Sequence, residues 1–203
     1  MILTDEGFAR KYTQAENENG NDGEQRLAQL RALVTNMLHY GAAAQAQFDI
    51  NAENPANNGL EPLSAVSSDE IAANGSDMTE NLAACGLEYT GSTLVCRTET
   101  VIRHYYRVTD QNAFNSVKDS ITIDGEPARY KERNGEICFE ITDIAAADLD
   151  TEAVLKIGAN SYRYSAMDYD KRALRNVEEG SLLCNLVTAL YWYNHAANAY
   201  FGA

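Results

Sequence analysis

One segment of this chain occurs twice. "LVTNMLHYGAAAQAQF" at residues 33–48 returns as "LVTALYWYNHAANAYF" at residues 186–201, and half of the sixteen aligned positions are identical. The copies are offset by 153 residues, as Tyr193 is from Tyr40. Apolar residues in both follow the i, i+3, i+4, i+7 spacing of an amphipathic helix. The repeat therefore predicts two matching long helices near the ends of the chain, with everything else inserted between them.

Small residues recur at matching positions of the two copies, among them Ala44 and Ala197. Small side chains let two helix axes approach toward the lower end of the usual separation. We therefore expect the two long helices to pack against each other through these faces. The alternative interpretation is a ligand pocket lined by aromatic residues of the repeat, namely Tyr40, Tyr191, Trp192 and Tyr193.

The middle of the chain, roughly residues 82–165, changes to the two-residue period of strands. Seven short runs rich in Val, Ile, Thr and Tyr alternate with turn residues, and Asp124-Gly125 and Asn134-Gly135 are strong hairpin signals. The pattern predicts an α+β protein: an antiparallel β-sandwich of about seven strands, Ig-like in style, flanked by N- and C-terminal helical hairpins that pack together.

Domain boundaries follow from these changes of pattern. Residues 1–62 are expected to form the N-terminal helical hairpin and an Asn-rich loop, since "NAENPANNGLEP" must end the first long helix. Residues 63–165 are expected to form the β-sandwich. Residues 166–203 are expected to form the C-terminal helical hairpin, packed on the N-terminal one.

The four cysteines, Cys85, Cys96, Cys138 and Cys184, match no metal-site spacing. If "GLEYTGSTLV" folds as a hairpin around Thr90-Gly91, Cys85 faces Cys96 and a cross-strand disulfide becomes possible. Buried, reduced cysteines acting as small apolar side chains are the other interpretation.

The search for catalytic motifs returns none. His39, His104 and His195 are scattered over different predicted elements, and no nucleophile, zinc or phosphate-loop signature is present. "ENENGNDGEQRL" fails the spacing of a calcium loop, because a glycine at position six leaves no acid at position twelve. We therefore expect no catalytic residue, no metal site and no cofactor.

One strand carries the candidate ligand-binding residues. In "VIRHYYRV", alternation turns Ile102, His104 and Tyr106 toward one face, which is the better core face. Arg103, Tyr105 and Arg107 then lie together on the opposite face, where basic and aromatic groups could bind a sugar or an anion.

Charge and hydropathy exclude two classes of partner. The net charge of −14 and the lack of any large Lys/Arg cluster exclude nucleic acid. No apolar run approaches the ~20 residues of a membrane span, so membrane insertion is not expected. Met1 is not followed by a signal peptide pattern, and we expect the sequence to be part of a longer chain.

"MLHYGAAAQAQFDINAENPANNGL", "ITDIAAADL" and "NLVTALYWYNHAANAYF" resemble the signature segments of an uncharacterised module. That module occurs, often C-terminally, in large secreted or surface-displayed proteins of gut clostridia, beside leucine-rich repeats, Ig-like domains or dockerins. The resemblance implies export and an extracellular or cell-surface location, with no reaction or ligand to carry over. The module is usually poor in cysteine, so the four cysteines depart from its pattern.

Together these features favour a noncatalytic extracellular module, a structural spacer or a binding domain for polysaccharide or a host surface protein. Other domains of a larger parent chain are the remaining expected partners. The alternative is an extracellular hydrolase whose active site is dispersed over loops. A cleft with two carboxylates and a perturbed pKa would favour the hydrolase, and an exposed aromatic strip would favour glycan binding.

Overall fold

The structure, a computed structural model, describes residues 4–72, 78, 82–96 (Cys96 by its backbone) and 100–202. It divides into two compact units, Met1–Ile71 with Ala173–Ala203, and Ala72–Arg172. The predicted α+β class with antiparallel strands is confirmed. The helices are α1 (Glu6–Glu18), α2 (Gly23–Phe48), α3 (Gln111–Val117), α4 (Ala166–Asn176) and α5 (Leu182–Phe201). The strands are β1 (Leu87–Cys96), β2 (Thr100–Val108), β3 (Thr122–Ile123), β4 (Glu126–Pro127), β5 (Tyr130–Arg133), β6 (Glu136–Ile144), β7 (Ala153–Ile157) and β8 (Asn160–Tyr164).

Side-chain caps mark where the helices of the first unit begin. Asp5 accepts from the backbone N–H of Phe8 at the start of α1, and Asp22 accepts from the backbone N–H of Gln25 at the start of α2. Ser181 accepts from the N–H of Cys184 at the start of α5, at 3.1 Å. Each cap satisfies a donor that the first helical turn leaves unpaired. These local signals explain why both copies of the repeat fold as helices, as predicted.

The long helices α2 and α5 pack against each other. Arg26, in the first turns of α2, lies over the ring of Tyr200 near the end of α5, 4.3 Å from the ring centroid. The same ring carries the hydroxyl that meets the Tyr12 hydroxyl of α1 at 3.1 Å. The beginning of one helix thus meets the end of the other, so the pair is antiparallel.

The apolar stripe of the repeat does not stay buried along its whole length. Phe48 and Phe201, identical in the two copies, are 47% and 64% exposed, and Met37 is 45% exposed. On α2 the buried positions are instead Gly23, Leu27, His39 and Ala42. α2 also contacts α1 and the loop that follows α2. Its buried positions are therefore not confined to one stripe.

Two four-stranded antiparallel sheets make up the second unit, with the strand orders β1-β2-β6-β5 and β4-β3-β7-β8. The dipeptide Asp124-Gly125 joins β3 to β4, and Asn134-Gly135 joins β5 to β6. All four residues have positive φ, as a two-residue hairpin turn of type I′ requires. Both predicted hairpins are confirmed. The helix α3, by contrast, was not predicted.

The predicted hairpin around Thr90-Gly91 is wrong. β1 is continuous from Leu87 to Cys96 and pairs with β2 throughout, with a register shift between Tyr89 and Gly91. Pairing along the neighbouring strand outweighs the local turn signal, which is absorbed as a bulge. Cys85 precedes β1 in a 3₁₀ turn and is a buried free thiol. Cys138 and Cys184 are also free thiols, and both are partly buried. The proposed Cys85–Cys96 disulfide is therefore wrong, and the Cys96 side chain lies outside the described residues.

Candidate functional site

The strand β2 places the predicted ligand-binding residues on its outward face. Ile102 and Tyr106 are 1% and 0% exposed, and His104 between them is 0% exposed, so the predicted core face is confirmed. Arg103 and Tyr105 are half-buried and Arg107 is exposed. The structure thus brings these three side chains to one face.

Both arginines of this face are ion-paired. The Arg103 Nε donates to the Glu140 Oε1 at 2.8 Å, and the Lys131 Nζ donates to the Glu140 Oε2 at 2.7 Å. Arg107 donates to Glu88 at 3.0 Å. The Lys131 ammonium and then the Arg103 guanidinium hold the pKa of the Glu140 carboxyl below its usual range. Arg103 and Arg107 are therefore members of paired charges and are not isolated cations.

Tyr105 is the aromatic residue at the centre of this network. Its register partners are Gly91 on β1 and Cys138 on β6. Gly91 places no side chain beside the ring, and a Cβ added there would meet nothing within 4 Å. The Thr93 hydroxyl is 3.5 Å from the Tyr105 hydroxyl, which is too long for a strong hydrogen bond. In the described part of this sheet, no second aromatic side chain lies on the outward face beside it.

A chain of polar side chains that ends at the buried His104 lies on the opposite, inward face of the same sheet. The Tyr89 hydroxyl is 2.6 Å from the Ser92 Oγ, and the Ser92 Oγ is 2.6 Å from the His104 Nδ1. Burial, and secondarily the charge of Arg172, lowers the pKa of His104 to about 4. The neutral imidazole shares this hydrogen bond with the Ser92 hydroxyl in a direction set by its tautomer, and its Nε2 has no hydrogen-bond partner among the described residues.

This chain was missed at the level of sequence, because Ser92 and His104 become neighbours only through the strand register. A serine–histidine pair is the core of many hydrolase sites, in which the histidine must accept the serine proton. Here the low pKa makes the imidazole a weak base. Among the described residues, no carboxylate is bonded to His104. The arrangement is that of a hydrogen-bonded core network.

A second buried ionisable group lies on α4. Asp170 is 0% exposed, and neither carboxylate oxygen has a hydrogen-bond partner among the described residues. Burial raises its pKa well above the ordinary value, and Lys171 opposes that shift only in part. Asp168, two residues earlier on the same helix, is satisfied, since its Oδ2 accepts from the Ser165 N–H and hydroxyl at 2.8 Å each.

The aromatic residues of the repeat are divided between two clusters. Tyr40 and Tyr193 stack on each other, with centroids 5.7 Å apart. Tyr191 lies against His195 at 4.4 Å, and the Trp192 indole N–H donates to the Ser64 carbonyl at 2.8 Å. These contacts join α2, α5 and the segment before residue 72. They assign the aromatic residues to packing.

Metal sites and membrane-spanning helices are two further features that would indicate a function. Within the described ranges, no group of three His, Cys, Asp or Glu side chains is placed to hold a metal ion. No helix in the described part of the chain is long and apolar enough to cross a membrane.

Comparison of the chain with protein-family models, with curated proteins and with solved structures finds no match.

Proposed function

We propose that this chain is a noncatalytic extracellular module of a larger secreted or surface protein, and that it binds neutral polysaccharide. The binding surface is the outward face of the β1-β2-β6-β5 sheet, with Tyr105 at its centre. The observation that carries the proposal is the pairing of Arg103 with Glu140 and of Arg107 with Glu88 around the half-buried Tyr105.

Paired charges favour a neutral, hydroxyl-rich ligand over an anion. An anionic ligand would have to displace Glu88 or Glu140 from its arginine, and the overall charge of −14 repels it further. A sugar can instead place its C–H face on the Tyr105 ring while its hydroxyls bond to the surrounding guanidinium and carboxylate groups. Charge-assisted hydrogen bonds of this kind are stronger than those between neutral groups.

The proposal includes a finer description of the fold, in which the two sheets stack as an Ig-like β-sandwich. Its support is the contact between the His104 ring of one sheet and the Tyr164 ring of the other, with centroids 5.0 Å apart. The alternation of buried and exposed residues on β2, β6 and β8 also favours two stacked layers. Such stacking covers the inward face of each sheet, which is the face opposite to Tyr105.

The extracellular location rests on the resemblance to modules of secreted and surface proteins of gut clostridia. In such a setting the module works beside other domains of its parent chain, as a spacer that also attaches to polysaccharide. A host surface protein is the competing partner for the same face.

The experiment is a screen of the isolated chain against neutral and acidic glycans, repeated with Tyr105→Ala. We expect binding to neutral glycans and a loss of about fivefold in the variant, since an aromatic contact is worth about 1 kcal/mol. The matched control is Arg163→Ala, which breaks the ion pair with Glu152 in the other sheet and should bind normally. Binding to no neutral glycan, or equal binding by Tyr105→Ala, would overturn the proposal.

The hydrogen bond between Ser92 and His104 favours hydrolysis as a second candidate function, with Ser92 as the nucleophile. The test is reaction with a fluorophosphonate probe, with Ser92→Ala as the control. We expect no adduct, because His104 is fully buried and a weak base. An adduct on Ser92 that is absent from the variant would replace the noncatalytic proposal with the enzymatic one.

A further inference from the structure

The first unit contains a cavity of about 360 Å³ between α2, the loop after it and α5. Its apolar wall is formed by alanines of both long helices, including Ala42, Ala46 and Ala189, together with Pro55 and Pro62 of the loop. This volume lies at the lower end of the range for small-molecule sites, so it holds one small ring or group and not an extended chain.

The walls of the cavity are held in place by the "GAAAQ" part of the first repeat copy. The Gln45 side chain accepts from the Ala56 N–H at 2.8 Å and donates to the carbonyls of Asn51 and Asn54 at 3.3 Å each. A Cβ on Gly41 would lie 3.3 Å from the Ala56 Cβ, so glycine there lets the loop lie close on the helix. The loop is therefore fixed to α2, and the cavity is preformed.

His39 is a buried polar side chain in the cavity wall, and only one of its two ring nitrogens is hydrogen-bonded to another described residue. His39 is 5% exposed, and its Nδ1 is 3.1 Å from the Asn57 Nδ2. Because the amide donates, the imidazole proton lies on Nε2, which has no hydrogen-bond partner among the described residues. Burial lowers the pKa of His39, so the ring is neutral and offers one N–H.

The remaining polar groups of the wall are also uncharged. Asn185 and Thr188 of α5 contribute an amide and a hydroxyl, and none of the described lining residues is an acid, a lysine or an arginine. The wall therefore combines the His39 N–H as a donor, the Asn185 amide and Thr188 hydroxyl as groups able to accept or donate, and the methyl groups of the alanines. A ligand that matches it is neutral and carries a carbonyl acceptor, an N–H donor and a methyl group close together.

We propose that this cavity binds an acetamido group, with its methyl against the alanines, its carbonyl oxygen on the His39 Nε2–H and its N–H on the Thr188 hydroxyl. Two kinds of molecule carry this group, an N-acetylated amino sugar and an N-acetylated peptide. No residue of the sheet that carries Tyr105 is among the described lining residues. The proposal for this cavity therefore does not depend on the function proposed above.

The test is a titration of the ¹⁵N-labelled chain with N-acetylglucosamine, with N-acetylglycine methylamide and with glucose. We expect saturable shifts at His39 and Ala42 with an acetylated ligand and none with glucose. A response to the acetylated sugar alone assigns the amino sugar, and a response to the acetylated peptide, alone or with the sugar, assigns recognition of the acetamido group itself. Saturation by neither acetylated ligand, or by glucose equally, overturns the proposal.

Variants locate the binding site. Ala46→Leu fills the cavity and should weaken binding at least tenfold, whereas Ala28→Leu makes the same change at an exposed position of α2 and should leave binding unchanged. Thr188→Val removes a hydroxyl at constant shape, and it tests the cavity independently if Ala46→Leu does not fold. It should weaken binding, while Tyr105→Ala should not. Equal binding by Ala46→Leu or by Thr188→Val overturns the proposal.

Discussion

Tyr40 and Tyr193 occupy the same position in the two copies of the repeat and stack on each other, with ring centroids 5.7 Å apart and ring planes at 18°. The stack joins α2 to α5 at the matching position of each. Ala197, which is 0% exposed, lies one turn beyond Tyr193. The repeated segment is therefore explained as two halves of one helix–helix contact, in which each copy supplies the partner of the other.

Tyr193→Ala should lower the free energy of unfolding by about 1–3 kcal/mol, because it removes most of a half-buried ring. Since the two rings contact each other, a double-mutant cycle with Tyr40→Ala should give a coupling energy of about 0.5–1.5 kcal/mol. Urea unfolding measures both quantities. Tyr193→Phe keeps the ring and should unfold close to the wild type, and strictly additive alanine effects would contradict the stack.

Local signals predicted the two long helices and the two tight hairpins, and they missed α3 and the pairing of β1 with β2 across Thr90-Gly91. Asp124-Gly125 and Asn134-Gly135 need only their own positive φ angles to form turns. Thr90-Gly91 carries a similar signal, yet β1 pairs with β2 across it. The contact of Ser92 with His104 depends on that register, and the cavity near His39 depends on where the loop returns onto Gly41. No pattern of residue spacing in the sequence therefore indicates either site.

Asp170→Asn should stabilise the protein at neutral pH by about 1–2 kcal/mol. The pKa of Asp170 is raised by burial, so its contribution to stability is present below the ordinary value of 3.8 and is lost as the pH rises through the folded pKa. The neutral amide avoids that loss. Urea unfolding at pH 7 measures the gain, which should shrink as the pH falls toward 4.

Asp168→Asn on the same helix is the control for Asp170→Asn. Its carboxylate accepts two hydrogen bonds from Ser165, so this variant should be destabilised. Equal effects of the two substitutions would show that the unpaired state of Asp170 has no energetic consequence.

Gly86→Ala should destabilise the protein far more than Gly135→Ala. Both glycines have positive φ, 69° and 76°, which costs an L-residue about 1–2 kcal/mol. At Gly86 the added Cβ would also lie only 2.1 Å from the Asp110 carbonyl oxygen, whereas at Gly135 it would meet nothing within 4 Å. We expect a loss of more than about 3 kcal/mol for Gly86→Ala and about 1 kcal/mol for Gly135→Ala. Similar midpoints of urea unfolding for the two variants would refute the close approach.

Acid should weaken the second unit through His104. Because the folded pKa is lowered from 6.5 to about 4, the stability that this neutral ring contributes is present above pH 6.5 and is lost as the pH falls toward 4. The shift corresponds to roughly 3 kcal/mol over that window. The positive charge of Arg172, which disfavours a second positive charge on the ring, strengthens this expectation.

Two measurements check the role of His104 in acid. In NMR, the Cε1–H resonance of the folded protein should titrate near pH 4, and titration near 6.5 would contradict the burial argument. In urea unfolding, His104→Phe keeps an aromatic ring beside Tyr164 but cannot be protonated, so its stability should fall less between pH 7 and pH 4 than that of the wild type. The difference between the two slopes isolates the imidazole from the carboxylates that titrate in the same range, because those are common to both proteins.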